Sequence, residues 1–532
     1  MRVHRLALAA LVACSSSKEP TPATKEVASV APSAVPGLSH AGGYLVMPSP
    51  EPRILNPVTQ AAYDLATPLV YEGLVGLDAK SEPVPVLAEQ WASSNDGRTL
   101  TFTLRSGVTW HDGKPFSAAD VVFTIETIQK TPTTIWSAYL APIAKVESPD
   151  DKTVVVSYKE PYGPAVASFT FGVLPKHLWA GQDLAKAAAN VSPVGTGPYK
   201  LLRWVPGKNM VLEASKSYWA GRPNIDQIEL VFGMANKAHL PALRARQLDF
   251  AEVTEPADWS VLRTPELLEA FETTVTTETT LTLIAWNNQR KPLDDRRVRV
   301  ALTHALDRPR VIEDVLGGAG RRISGPFYPT LWGADPNVAP WPFDRAVADK
   351  MLDDAGHKRK DGKRFPIELF VEDTRRGQAI YDSMLAIFRD DLGQIGVELK
   401  VTYLPRNELV DRLALHNFEA VLFEFSADIA DPDPWGLLHS SQVQAGQNYA
   451  GYVSSDADRL LEAGRASTDR GKRKEAYYAL HKIVHDDEPY SFLYVPERYY
   501  AWSRRVHDVS ALDVSSLPRH PGLPRWWVDK PK

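Results

Sequence analysis

Apolar residues recur along this chain in two rhythms. Every second position is apolar through Leu100, Phe102 and Leu104, and again through Val397, Leu399 and Val401, the period of half-buried strands. Val108 and Trp110 read as a second strand, followed by the turn His111-Asp112-Gly113-Lys114-Pro115-Phe116. Spacings of three and four predict helices elsewhere. Leu65, Leu69, Val70 and Leu74 predict one over residues 64–77, and Ile380, Met384, Ile387, Phe388 and Leu392 one over 378–393. Ser117 caps a helix carrying Val121, Val122 and Ile125, and residues 472–484 form a last amphipathic helix. Short apolar runs at 43–47, 420–425 and 491–495 read as buried strands, and Leu55-Asn56-Pro57 ends the first region. Helix-then-strand order over 378–401 and 413–425 predicts α/β layering. No internal repeat is present.

The apolar run at Ala420 leads directly into Ser426-Ala427-Asp428-Ile429-Ala430-Asp431-Pro432-Asp433-Pro434-Trp435. This second half is acidic and proline-rich and cannot continue a sheet interior. A strand therefore carries Asp428 to the point where the chain leaves the core, where it either caps local amides or faces a ligand.

At 532 residues the chain is too long for one ordinary domain, so two or three are expected. Its net charge of −5 gives no basic face and argues against a nucleic-acid partner. The single cysteine, Cys14, leaves no internal disulfide, thiolate nucleophile or thiolate metal site for the exported chain. It follows a basic start and an apolar core too short to span a bilayer, which is the form of an export signal. Residues 15–42, rich in Ser, Ala, Pro and Thr, read as a flexible tether. No later run is long and apolar enough to cross a membrane.

Enzymatic patterns fail on spacing. There is no G-x-S-x-G elbow. The glycines from Gly356 to Gly362-Lys363 are one residue too far apart for a phosphate loop, and Arg364 stands where Ser or Thr would hold magnesium. His481 and His485 lie one turn apart without a third ligand, and are expected on a solvated helix face. His111 is expected to be structural. No cofactor and no metal site are expected.

Four stretches carry a resemblance: Leu87-Ala88-Glu89-Gln90-Trp91, Leu100-Thr101-Phe102-Thr103-Leu104-Arg105, Gly107-Val108-Thr109-Trp110-His111-Asp112-Gly113, and Phe116-Ser117-Ala118-Ala119-Asp120-Val121. Together they look like the hallmark of the family-5 extracellular solute-binding proteins. Pro193-Val194-Gly195-Thr196-Gly197-Pro198-Tyr199, Tyr218-Trp219, Trp286-Asn287-Asn288 and Ser324-Gly325-Pro326 follow in the family's order, so the likeness covers about residues 43–505. Leu11-Val12-Ala13-Cys14 resembles a bacterial lipobox, in which the cysteine is lipidated.

The resemblance implies an α/β, two-lobed periplasmic-binding-protein-like fold (type II, cluster C) with an extra subdomain on the first lobe. On that pattern residues 1–14 are the lipoprotein signal peptide and 15–42 the tether. Lobe I comprises 43–77, 191–285 and 491–532, the extra subdomain 78–190, and lobe II 286–490. Crossings between lobes fall near 281–288 and 489–500. The implied function is an exported, lipid-anchored receptor of the cell envelope, monomeric, that delivers peptides to ABC transporter permease subunits. Asp428 would face the ligand's α-ammonium, with Phe425, Ser426 and Ala427 on one strand edge and Met47, Pro48 and Ser49 on the other. The ligand's carboxylate has no clear partner. The family's arginine position falls near Asp382 and Ser383, Arg375 and Arg376 lie upstream, and Arg406 answers either a ligand carboxylate or only solvent. That departure keeps a nickel chelate, an oligosaccharide or an opine open as the solute. Two other classes remain: a secreted hydrolase, which an activity assay with and without chelator would reveal, and a sensor or envelope scaffold without transport.

Overall fold

The computed structural model describes residues 25–26, 41–59, 64–131, 134–373, 378–426, 431–514 and 519–529. Cys14, Arg375, Arg376, Ala427 and Asp428 lie outside these, as does most of the expected tether. Within that tether, Lys25–Glu26 pairs with Ala92 and Ser93, adding to the edge of a sheet. An edge strand offers unpaired amides to any extended segment nearby.

The first lobe is built on two sheets that share one core. Strand Tyr44–Pro48 runs parallel to Gln227–Val231, which is followed by Asn209–Ala214 and Tyr199–Val205 in antiparallel order. Tyr44–Pro48 therefore forms the edge of this sheet. A second, antiparallel sheet contains Ala88–Ser93, Thr99–Leu104, Thr153–Tyr158 and Ile143–Asp150. Alternation works as expected here: Leu100, Phe102 and Leu104 are buried, and Phe102 meets Phe169 edge-on at 4.8 Å. Helix Ala118–Gln129 begins at a capping box, with the Ser117 N–H donating to Asp120 Oδ2 at 3.0 Å.

The second lobe is organised on a larger mixed sheet. Among the described residues its main path runs Phe250–Glu252, Tyr490–Ser503, Thr280–Trp286, Ala420–Ser426, Phe365–Glu372 and Val397–Leu404. Helix Gln378–Gln394 buries Met384, Ile387, Phe388 and Leu392 against it, while Ile380 stays exposed. Helix Arg470–Asp487 starts at Asp469, whose Oδ1 accepts from the Gly471 and Lys472 amides, and stops where Glu488 turns left-handed at φ 44°.

The strand Tyr490–Ser503 joins the lobes. Its first half lies in the second-lobe core through Phe492, Leu493 and Val495, and its far end enters the first-lobe core through Tyr500 and Trp502. It pairs with Thr280–Trp286 on the way, and with Phe271–Thr277 beyond.

Three sequence expectations are corrected. The spacing of Leu65 to Leu74 yields only one helical turn, Thr67–Val70, before the chain becomes extended at Val75–Leu77. Apart from Thr67 and Pro68 the segment is interior, so apolar residues there report burial and not helical period. Val108 and Trp110 form no strand: Trp110 is 1% exposed and anchors a turn in which the Gly113 N–H donates to Trp110 O at 2.8 Å. His481 and His485 are buried, not solvated. The Nδ1 of His481 accepts from the Asp335 N–H at 3.0 Å and its Nε2 pairs with Ser324 Oγ at 3.0 Å. His485 stacks on Trp341 with 4.3 Å between centroids. Burial pushes the His481 pKa down to about 4, so it is a neutral core residue. Among the described residues no group of His, Cys, Asp and Glu could hold a metal ion.

His111 is structural as expected. It accepts from the Gly195 N–H at 3.3 Å and reaches Gly197 O at 2.9 Å through Nε2. It thereby fixes a loop in which a Cβ on Gly195 would meet Val70 O at 1.8 Å, leaving glycine no replacement.

Candidate functional site

A cavity of about 1170 Å³ opens against the first lobe and reaches the crossing strands. Its walls bring together segments far apart in sequence: Met47, Pro48 and Ser49 from the edge strand, Thr279 and Thr280 before the first crossing strand, Ser426, Arg498, and Arg519 near the C-terminus. Tyr71, Trp136, Phe171, Tyr218, Phe250 and Tyr500 add aromatic surface. This mixture of aromatic faces and a few placed polar groups suits a flexible, partly charged ligand.

Ser426 faces this cavity from the last position of strand Ala420–Ser426, where its Oγ lies 2.9 Å from Thr280 Oγ1. That strand is paired along its whole length with Thr280–Trp286, but with Phe365–Glu372 only through Ala420, Val421 and Leu422. Among the described residues, Phe423 to Ser426 therefore keep one free edge. Phe425, one residue back, turns to the other face, packs against the second-lobe core and lines a separate small pocket with Tyr328 and Pro432. The sequence-derived set thus divides: Met47, Pro48, Ser49 and Ser426 share the cavity and Phe425 does not. Arg406 is not part of the cavity wall. Its side chain is 78% exposed at the start of helix Arg406–Ala414, ion-paired with Glu372 at 3.1 Å.

The acidic turn after Ser426 is anchored by buried ion pairs. Asp431 is held by Arg473, whose Nη1 donates at 2.8 Å, and Asp433 accepts from Arg465 Nη2 at 2.7 Å. Arg473 also donates to Gly464 O at 2.8 Å and, across to the other lobe, to Gly163 O at 3.2 Å. The Gly163 N–H donates in turn to Arg465 O at 2.5 Å, and Arg470 pairs with Glu82. These contacts hold helices of the second lobe against loops of the first. Glu424, the other nearby carboxylate, accepts from Tyr381 OH at 3.0 Å.

Several charged groups in the cavity wall escaped sequence reasoning. Arg498 Nη1 donates to both oxygens of Glu252, at 2.9 and 2.8 Å, and Nε is ion-paired with Glu278. Burial raises the Glu278 pKa, against the pull of Arg498. The triad carries two carboxylates against one guanidinium, so this wall is net negative. Glu72 is 8% exposed and accepts from Tyr218 OH at 2.7 Å, and from Trp219 Nε1 and Thr196 Oγ1 at 3.0 Å. Burial lifts its pKa to about 7, against those three donors. One signal was available for Arg498: a cation within the aromatic run from Ser491 to Trp502 is out of place unless it is paired.

Comparison with known proteins places this architecture. The family model described as bacterial extracellular solute-binding proteins, family 5 Middle, matches residues 82–447. The oligopeptide-binding protein AppA of Bacillus subtilis (strain 168) is 28% identical over 543 residues, covering 98% of this chain and 96% of that protein. The structure of that AppA in complex with a nonapeptide superposes with a TM-score of 0.73 at 25% identity, over 92% of this chain and 100% of the other. NikA from Brucella suis, solved in complex with Fe(III)-EDTA, gives a TM-score of 0.79 at 25% identity, again over 92% and 100%. A match across more than half its length establishes that the chain, with its two-lobed architecture, belongs to the bacterial extracellular solute-binding proteins, family 5.

Proposed function

We propose that this protein is an extracytoplasmic receptor, not an enzyme, that captures peptides in the cavity and hands them to an ABC importer. The observation that carries the reading is the pair of strand edges at the cavity: the edge strand Tyr44–Pro48 beyond Val46, whose own amide and carbonyl are taken by Asp249, and the half-paired end of the strand Ala420–Ser426. An extended peptide can add its main chain to such edges whatever its side chains. The cavity is large enough for several residues, and water can fill what the side chains leave. Asp428 is proposed to receive the ligand's α-ammonium, two positions beyond Ser426. The relative AppA, whose structure is in complex with a nonapeptide, supports peptide as the solute class.

The test is a thermal-shift screen of the chain from Ser15 against di- to pentapeptide pools. Peptides are expected to raise the melting temperature by mass action, and the rise is expected to vanish with N-acetylated peptides and in Asp428→Ala. A shift given only by metal chelates or oligosaccharides would replace the peptide reading with a second one, for which the likeness to NikA with Fe(III)-EDTA speaks.

The lipobox-like Leu11-Val12-Ala13-Cys14 supports attachment to the membrane through lipid on Cys14. In a bacterial host the wild-type chain is expected in the membrane fraction, and Cys14→Ala is expected in the soluble extracytoplasmic fraction. Equal partition of both would remove the anchor from the proposal.

A further inference from the structure

Most charged groups in the cavity wall are engaged by a neighbour. Arg498 lies between Glu252 and Glu278, Asp513 pairs with Arg525 at 3.1 Å, and Glu51 accepts from the Gly207 N–H and Trp204 Nε1. Arg519 is different. Among the described residues it has no ion pair, and its Nε is buried without a hydrogen-bond partner. Toward the described residues only Nη1 is engaged, donating to Asp78 O at 2.6 Å and Ser81 Oγ at 3.0 Å.

Those two bonds explain why the side chain is held still. They brace the C-terminal segment, whose backbone bridges Leu77 at Arg519, against the turn that follows Val75–Leu77. They do not explain the charge, because a neutral donor would serve a carbonyl and a hydroxyl equally well. A guanidinium fixed at Nη1 in the cavity wall, with Nη2 bonded to none of the described residues, is set up for an acceptor that arrives from outside. The cavity is therefore polarised, net negative at the Glu252–Arg498–Glu278 wall and positive at Arg519.

We propose that Arg519 is the anion-binding residue of the cavity and takes the α-carboxylate of a zwitterionic ligand. This rests on the peptide reading above and supplies the counter-charge that reading lacked. A peptide lying between the two strand edges would then place its carboxylate end toward the C-terminal segment of the first lobe.

The experiment is calorimetric titration of the mature chain with a tripeptide pool and with the same pool C-terminally amidated. Wild type is expected to bind the free acids about 30-fold tighter than the amides. In Arg519→Gln the loss of the two bracing bonds is expected to lower the melting temperature somewhat, and that ratio is expected to fall to near one. A purely bracing role would instead weaken both pools alike and leave the ratio at its wild-type value. That result, or a wild type indifferent to amidation, overturns the assignment and leaves peptide capture standing. Failure of both pools to bind wild type overturns the assignment together with the peptide reading. Arg519→Lys keeps the charge without the planar fork and is expected to show an intermediate ratio. A wild-type ratio in that variant also overturns the assignment, even if Arg519→Gln does not fold.

Discussion

Asp431→Ala is expected to lower the unfolding free energy by about 3–5 kcal/mol, the typical cost of leaving one member of a buried ion pair uncompensated. The side chains of Arg473 and Asp431 are 6% and 8% exposed, so water cannot replace the lost carboxylate cheaply. Arg473 would keep its bonds to Gly464 O and Gly163 O, but two carbonyls do not neutralise a guanidinium. The damage should also reach the lobe contact, since Gly163 is held from the other lobe by Arg473 and Arg465. Urea denaturation of wild type, Asp431→Ala and the double variant Asp431→Leu/Arg473→Met reads the effect. The double variant is expected to recover most of the loss, because apolar side chains of similar size remove the desolvation penalty along with the attraction. A loss below about 1 kcal/mol in Asp431→Ala would show that the pair is not what holds the acidic turn in place.

The second large effect is a dependence of stability on pH that differs from the common carboxylate pattern. Glu488 is 1% exposed at the end of helix Arg470–Asp487, and burial pushes its pKa up to about 8 although Arg308 pulls the other way. Between its ordinary value of 4.5 and 8, folded Glu488 keeps a proton that the unfolded chain has released. The folded state then binds more protons, so stability falls as pH rises, by up to ~1.4 kcal/mol per unit. Glu72 acts in the same direction up to about pH 7. His481 and His520 act oppositely: burial lowers both to about 4, so below 6.5 the unfolded chain binds protons that the folded chain does not. The two pairs offset each other from about pH 4.5 to 6.5. Above that the histidines are neutral in both states and Glu488 dominates. Melting temperature is therefore expected to be nearly flat over the lower window and to fall between about 6.5 and 8. Glu488→Gln should match wild type near pH 5 and exceed it at pH 8.5, by on the order of 2–4 kcal/mol in chemical denaturation. A wild-type slope that persists in Glu488→Gln would refute the assignment.

Sequence and structure agree best where pattern and burial have one cause. Leu100, Phe102 and Leu104 alternate because one face of their strand meets a core, and the capping box at Ser117 and Asp120 is purely local. The pattern misled where burial is nearly continuous, as at Leu65 to Leu74 around the exposed Pro68, and where a polar side chain is satisfied inside the core. His481 looked like surface because its partners, Ser324 and the Asp335 amide, are about 150 residues away in sequence. The cavity was half legible. Met47, Pro48, Ser49 and Ser426 could be placed from the resemblance, whereas Arg519 and the Glu252–Arg498–Glu278 wall exist only once the crossing strand and the C-terminal segment have been laid beside the first lobe. Arg406 was singled out because the resemblance puts a groove-lining tryptophan there, and in the structure it pairs with Glu372 at the surface.

The path of the chain also constrains when the protein can be made whole. The first-lobe core holds Leu45, Met47 and Phe102 from early in the chain together with Tyr500, Trp502, Leu523 and Trp526 from its end. No ribosome-bound fragment that stops short of these last residues can complete that core. Synthesis therefore leaves that core open until Trp526 has been made, and a chain with an open core stays accessible to whatever must handle it unfolded.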